Sequence, residues 1–230
     1  MLKNTTINLG VIRKIAHALQ DLNERVVYVG GAVVSLYVND PAADDVRPTK
    51  DIDISLKIAS IGELEEIREL LIKRGFKQSP EDNVICRFRY EDIKVDVMST
   101  QAVGWAPANP WFGPGFKQLQ KLKIEDITIH ILPLAYFLAT KFTAFHDRGE
   151  KDPRTSHDLE DITYILDNRT DLVETILQAP DDVKSYLNQE FTAILSNGNL
   201  QEAMAVNLYY ETQAQRLDIL LKKLSTIVLG

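Results

Sequence analysis

The sequence predicts an α/β fold: a small mixed sheet with flanking helices, then a helical C-terminal half. Three observations carry it. Val26–Val29 is a short apolar run bounded by a glycine pair, and Asp51–Leu56 alternates Asp51, Asp53 and Ser55 with Ile52, Ile54 and Leu56; both read as strands. Helical periodicity separates these strands from each other and from later ones. From Pro133 onward every apolar pattern is helical. That shift sets two domains, 1–132 and 133–230, sharing one core.

The elements follow in order. Val11, Ile12, Ile15, Leu19 and Leu22 recur at helical spacing, so residues 9–23 form an amphipathic first helix. After the Val26–Val29 strand, Gly30-Gly31 opens a helix over Ala32–Val38 that ends at Asn39-Asp40-Pro41. The acidic, proline-bearing Pro41–Lys50 is a loop leading into the Asp51–Leu56 strand. Ile61, Leu64, Ile67, Leu70 and Leu71 make a second helix stopped near Gly75, and Val84–Tyr90 and Ile93–Met98 read as strands. Ser99–Lys123 reads as a long loop carrying Trp105, Trp111, Phe112 and Phe116 with Lys117, Lys121 and Lys123. Aromatic and basic residues together suit single-stranded nucleic acid, but such a loop more simply buries its own aromatics against the helical half and keeps its lysines in water. Thr128–Leu132 is a last strand, and Pro133 suits the first turn of a helix running to about Arg148. Thr155 or Ser156 caps a helix bearing Leu159, Ile162, Ile165 and Leu166; Leu172–Leu177, Val183–Leu195 and Leu200–Leu224 supply three more.

Composition limits the function classes. A chain of 230 residues that is 45% hydrophobic buries a substantial core. Its net charge of -7, from 33 acids and 26 bases, argues against coating nucleic acid through bulk charge. The single Cys86 cannot form an internal disulfide, and a strand-like setting without a His or Asp partner argues against a nucleophile. The N-terminus lacks the apolar run of a signal peptide and no stretch is long enough to cross a bilayer, so a soluble, cytoplasmic protein is expected. A Walker-type phosphate loop is absent.

The chemistry concentrates in a few residues. A strand's period of two puts Asp51 and Asp53 side by side on one face, where like charges repel unless a cation sits between them. A third acid, Asp96, interrupts the neighbouring strand-like run Lys94-Val95-Asp96-Val97. The turn Gly30-Gly31 lets backbone N–H groups approach a phosphate with no side chain in the way. Each element alone has an ordinary explanation, a common turn or a solvated strand face; three acids among Ile- and Val-rich strands are the more specific signal.

Gly30-Gly31, Asp51-Ile52-Asp53 and Asp96 resemble the signature of the DNA-polymerase-β-like nucleotidyltransferase superfamily, and Arg47-Pro48-Thr49-Lys50-Asp51-Ile52-Asp53-Ile54 looks like the minimal bacterial, AbiEii toxin-like members. Where the family often has Ser or Thr after the second glycine, Ala32 stands here, and the nearest hydroxyl is Ser35 one helical turn on. The resemblance implies Mg²⁺-dependent (or Mn²⁺-dependent) transfer of a nucleoside monophosphate from an NTP to a hydroxyl. Asp51, Asp53 and Asp96 would be the metal ligands, Asp96 on the ion that activates the attacking hydroxyl. It also implies that Gly30, Gly31, Ser35, Lys141 and Asp158 bind the nucleotide, so that the helical domain completes the nucleotide site. Lys141 and Asp158 fit equally well a snorkelling lysine and an aspartate at a helix N-terminus. His157 reads as a helix-start residue. The acceptor is left open between an RNA such as tRNA and a small molecule. From a different class, the same residues suit an inactive nucleotide-binding sensor or a toxin–antitoxin-type partner module.

Overall fold

A computed structural model describes residues 3–49 and 51–230, so Met1, Leu2 and the Lys50 of the acidic-strand motif lie outside the described residues. The backbone divides into two compact units. One joins the residues up to Val33 to Asp45–Pro133, and the other joins Val34–Asp44 to Leu134–Gly230.

The first unit is built on a six-stranded mixed sheet of order β3-β4-β2-β1-β6-β5. Its strands are β1 (Val26–Val29), β2 (Asp51–Leu56), β3 (Arg87–Tyr90), β4 (Ile93–Ser99), β5 (Gln120–Ile124) and β6 (Ile127–Ile131). All four residues of β1 are buried, as a central strand covered on both faces requires. It runs antiparallel to β2 and parallel to β6, while β2 and β4 run parallel. Strands β2 and β4 alternate, with Ile52, Ile54, Ile93, Val95 and Val97 buried between half-open polar residues. Helix α1 (Lys3–Leu19) buries Ile12, Ile15, Ala16 and Leu19, and continues into a 3₁₀ turn over Gln20–Arg25. Helix α2 (Ile61–Lys73) buries Leu64, Ile67 and Leu71, and Ser60 caps it by accepting the Glu63 N–H.

Three elements differ from the sequence reading. Gly31–Tyr37 winds as a 3₁₀ helix rather than an α-helix. It opens on a glycine and carries two adjacent β-branched residues, Val33 and Val34, both poor α-formers. The Ser99–Lys123 loop contains a one-turn helix, α3 (Phe112–Gly115), and its end is the edge strand β5. Its aromatics fold into the sheet unit: Phe112 is buried, and Trp105 packs 5.7 Å from the Phe88 ring of β3 while its indole N–H donates to Glu65 of α2.

The second unit is helical from Leu134 on, with α4 (Leu134–Arg148), α5 (His157–Asn168), α6 (Leu172–Leu177), α7 (Asp181–Ser196), α8 (Gly198–Ala205) and α9 (Gln213–Leu229). Residues 34–44 are bound into it: Tyr37 stacks on Phe137 with centroids 4.1 Å apart, the N–H groups of Asn39 and Asp40 donate to the Asn168 carbonyl, and the Tyr164 hydroxyl donates to the Asp44 carbonyl. The single pattern read over Leu200–Leu224 is two helices, because the Asn207 side-chain amide donates to the Ala203 carbonyl and a 3₁₀ turn follows at Tyr210–Thr212. No helix among the described residues is long and apolar enough to cross a membrane.

Candidate functional site

The β-ladders set the site's geometry. Val29, the last residue of β1, pairs with Asp53 of β2; Asp53 pairs with Asp96 of β4; and Asp96 pairs with Arg87 of β3. Directly paired residues on neighbouring strands lie on one face about 5 Å apart, so a single row crosses four strands and carries two carboxylates in its middle. Asp51 lies two residues before Asp53 on that face, and Lys94 pairs with it. The face closes along β2: Asp51 and Asp53 are half-open and Ser55 is buried. The open, charged end of the face therefore lies at Asp51 and the paired Lys94 of β4.

Gly30 takes φ +74, a conformation that side chains rarely tolerate, and a Cβ there would lie 1.8 Å from Asp53 Oδ2. The Asp53 carboxylate thus occupies the space that any other residue at position 30 would fill. Gly31 starts the 3₁₀ helix, which also carries Ser35, whose buried hydroxyl has no hydrogen-bond partner among the described residues.

Asp96 is not an open ligand. Arg87 donates from Nε and Nη2 to its two carboxylate oxygens, each at 2.7 Å, and the side chains are only 18% and 14% exposed. The hydrogen bond to Asp96 is the main reason the guanidinium is held more firmly charged than usual. Lys94 Nζ lies 3.8 Å from Asp51 Oδ1, on the exposed side of the face. Burial, helped by the charges of Asp96 and Asp53, pushes the Cys86 thiol up to about 11, which removes its nucleophilic character at neutral pH.

The donor set is all carboxylate, as hard divalent cations prefer, and Gly30 lets the Asp53 carboxylate lie against the bare backbone of the turn. Arg87 already stands on Asp96 as a cation. The residues thus fit a divalent ion in the chemistry of their donors. With Asp96 turned to Arg87, no three acid, His or Cys side chains among the described residues gather closely enough to hold a metal.

The helical unit carries a charge network around buried carboxylates. Lys141 of α4 donates to Asp161 at 2.6 Å and to Asp158 at 3.4 Å, and Arg148 donates to both Asp158 oxygens at 2.7 and 3.0 Å. Lys141, Asp158 and Asp161 side chains are 6%, 4% and 2% exposed. The two buried carboxylates are balanced by the buried Lys141 and by Arg148, whose side chain is 70% exposed, which makes their burial tolerable. Burial pushes the Asp158 carboxyl up, but the Arg148 hydrogen bond and the Lys141 charge outweigh it and leave it below the ordinary value. Asp161 was not singled out from the sequence; its i+3 spacing from Asp158 was the available signal. His157 is the exposed first residue of α5 and pairs with Glu160.

Known proteins bear on this arrangement. Among curated proteins, none matches the chain in sequence. The solution structure of the antibiotic-resistance factor ANT(2'')-Ia shares the fold, at 14% identity with a TM-score of 0.50, covering 84% of this chain and 96% of that one. A nucleotidyltransferase-like antigenic protein from Paracoccidioides brasiliensis aligns at 15% identity over 92% of this chain and 98% of that one, with a TM-score of 0.48. The sequence signature of the family described as "Nucleotidyl transferase AbiEii toxin, Type IV TA system" matches residues 15–223, from α1 to α9. The chain belongs to the AbiEii nucleotidyltransferase toxin family.

Proposed function

We propose that this protein moves a nucleoside monophosphate from an NTP to a hydroxyl acceptor, releasing pyrophosphate, with divalent ions held by Asp51, Asp53 and Asp96. The observation that carries this is the in-register pair Asp53 and Asp96 beside Gly30, with Asp51 on the same face. Two Mg²⁺ (or Mn²⁺) ions bound there would neutralise phosphate charge and lower the pKa of the attacking hydroxyl.

The chain's own residues have distinct tasks in this account. Gly30 and Gly31 leave the backbone bare so that phosphate oxygens can approach N–H groups. Lys94, next to Asp51, adds positive charge at the open end of the face. Ser35, Lys141 and Asp158 are proposed nucleotide-binding residues on the family's pattern. Within the helical unit, Lys141 and Asp158 also clamp α4 to α5. On the family's designation, we further take the chain to be the toxin of a toxin–antitoxin pair, with an antitoxin as its partner.

Incubation with NTPs labelled on the α-phosphate, Mg²⁺ and an extract supplying RNA, proteins and small metabolites tests the activity, with Asp51→Asn/Asp53→Asn as control. Transfer of label above the control is expected; its absence, with no metal-dependent NTP binding, would refute the proposal. Fractionating the labelled product identifies the acceptor class. Where it is tRNA, binding measured at two salt concentrations should weaken steeply as salt rises.

A further inference from the structure

We infer that Arg87 is the exchangeable counter-ion of the third carboxylate: it holds Asp96 when no divalent cation is present and leaves it when one binds, becoming available to the phosphates of the nucleotide. The inference rests on the metal-binding role proposed above for Asp96.

Four observations lead there. Arg87 engages both Asp96 oxygens at 2.7 Å, so it occupies a lone pair on each and competes with a cation for the carboxylate. Asp96 stands in register with Asp53 on the adjacent strand, and two such carboxylates repel unless a positive charge accompanies them. Arg87 supplies such a charge. It also shares its face with Asp51, two residues before Asp53 on β2. Finally, Arg87 lies on β3, an edge strand of the sheet, so β4 is the one sheet strand beside it, and its side chain keeps 18% of its surface exposed.

Arg89, two residues on, shows what a purely structural pair looks like in the same strand. It clamps Asp82 with two hydrogen bonds of 2.7 Å, and Asp82 has no place in the acidic row. Arg87 alone of the two faces a proposed metal ligand. A guanidinium released beside bound phosphates would engage them bidentately, as Arg does preferentially.

The test is Mn²⁺ binding by the full chain without nucleotide, read by the electron paramagnetic resonance of free Mn²⁺, for wild type, Arg87→Gln, Arg87→Lys and Asp53→Asn. Removing a competing unit charge should tighten Mn²⁺ binding by about tenfold or more in Arg87→Gln. Arg87→Lys should fall between that variant and wild type, because it keeps the charge but loses the fork. In steady-state assays Arg87→Gln should raise KM for NTP more than it lowers kcat. Mn²⁺ binding that Asp53→Asn abolishes but Arg87→Gln leaves equal or weaker would overturn the exchange while leaving the metal site intact. Absence of Mn²⁺ binding in every protein, wild type included, would overturn the metal site and the exchange together. If Arg87→Gln does not fold, Arg87→Lys decides by the same criterion.

Discussion

Asp53 stands directly across the parallel β2–β4 ladder from Asp96, and Asp96 accepts both donating nitrogens of Arg87. The acidic face is therefore balanced by a side chain from an edge strand. Most of what can be measured about this protein follows from that row or from the charge network of the helical unit.

Gly30 should tolerate no side chain. Gly30→Ala forces alanine into a left-handed conformation, which costs about 1–2 kcal/mol, and drives its methyl against Asp53 Oδ2. Urea denaturation should show at least that loss, and Mn²⁺ affinity should fall with it. Gly10 in α1, where an added Cβ meets nothing within 4 Å, is the control: Gly10→Ala should stabilise by about 0.5–1 kcal/mol.

Lys141 is the shared cation of two buried carboxylates. Lys141→Met should destabilise the protein by about 3–5 kcal/mol, because it leaves buried negative charge uncompensated. Adding Asp161→Asn should recover part of that loss, whereas Asp161→Asn alone should destabilise. Equilibrium denaturation of the single and double variants closes the cycle.

The same network gives a pH dependence with a defined sign. The folded Asp158 carboxyl titrates below its ordinary value of 3.8, so its contribution is complete above that value and is lost as pH falls through the lower, folded one. Wild type should lose more stability than Asp158→Asn between neutral pH and pH about 3, so their denaturation midpoints should converge on acidification. A constant gap across that range would contradict the ion-pair assignment.

Cys86 should behave as a core residue. With its thiol pushed up to about 11 and buried, it should react with a disulfide reagent at pH about 8 far more slowly than a free thiol does. Denaturant should restore the rate.

The sequence was most legible where a local rule decides the structure. The bounds of β1 and β2 follow from apolar runs flanked by glycines and a proline-bearing loop, and the Ser156 cap starts α5 where hydroxyl capping requires. Strand β5 escaped because Gln120-Lys121-Leu122-Lys123-Ile124 is a lysine-studded edge with little apolar signal. The acidic residues of the candidate site were visible as types and spacing. The Arg87–Asp96 pair was not, since it depends on how β3 registers against β4. Likewise, the placing of residues 34–44 with the helices depends on tertiary contacts such as the Tyr37–Phe137 stack, which no short window contains.

The most direct test of the acidic face is anomalous diffraction from crystals grown with Mn²⁺ and a non-hydrolysable NTP analogue. The account predicts Mn²⁺ density bonded to Asp51, Asp53 and Asp96, with the Arg87 guanidinium moved off Asp96. Nucleotide bound with no Mn²⁺ at these carboxylates, and Arg87 still on Asp96, would contradict it.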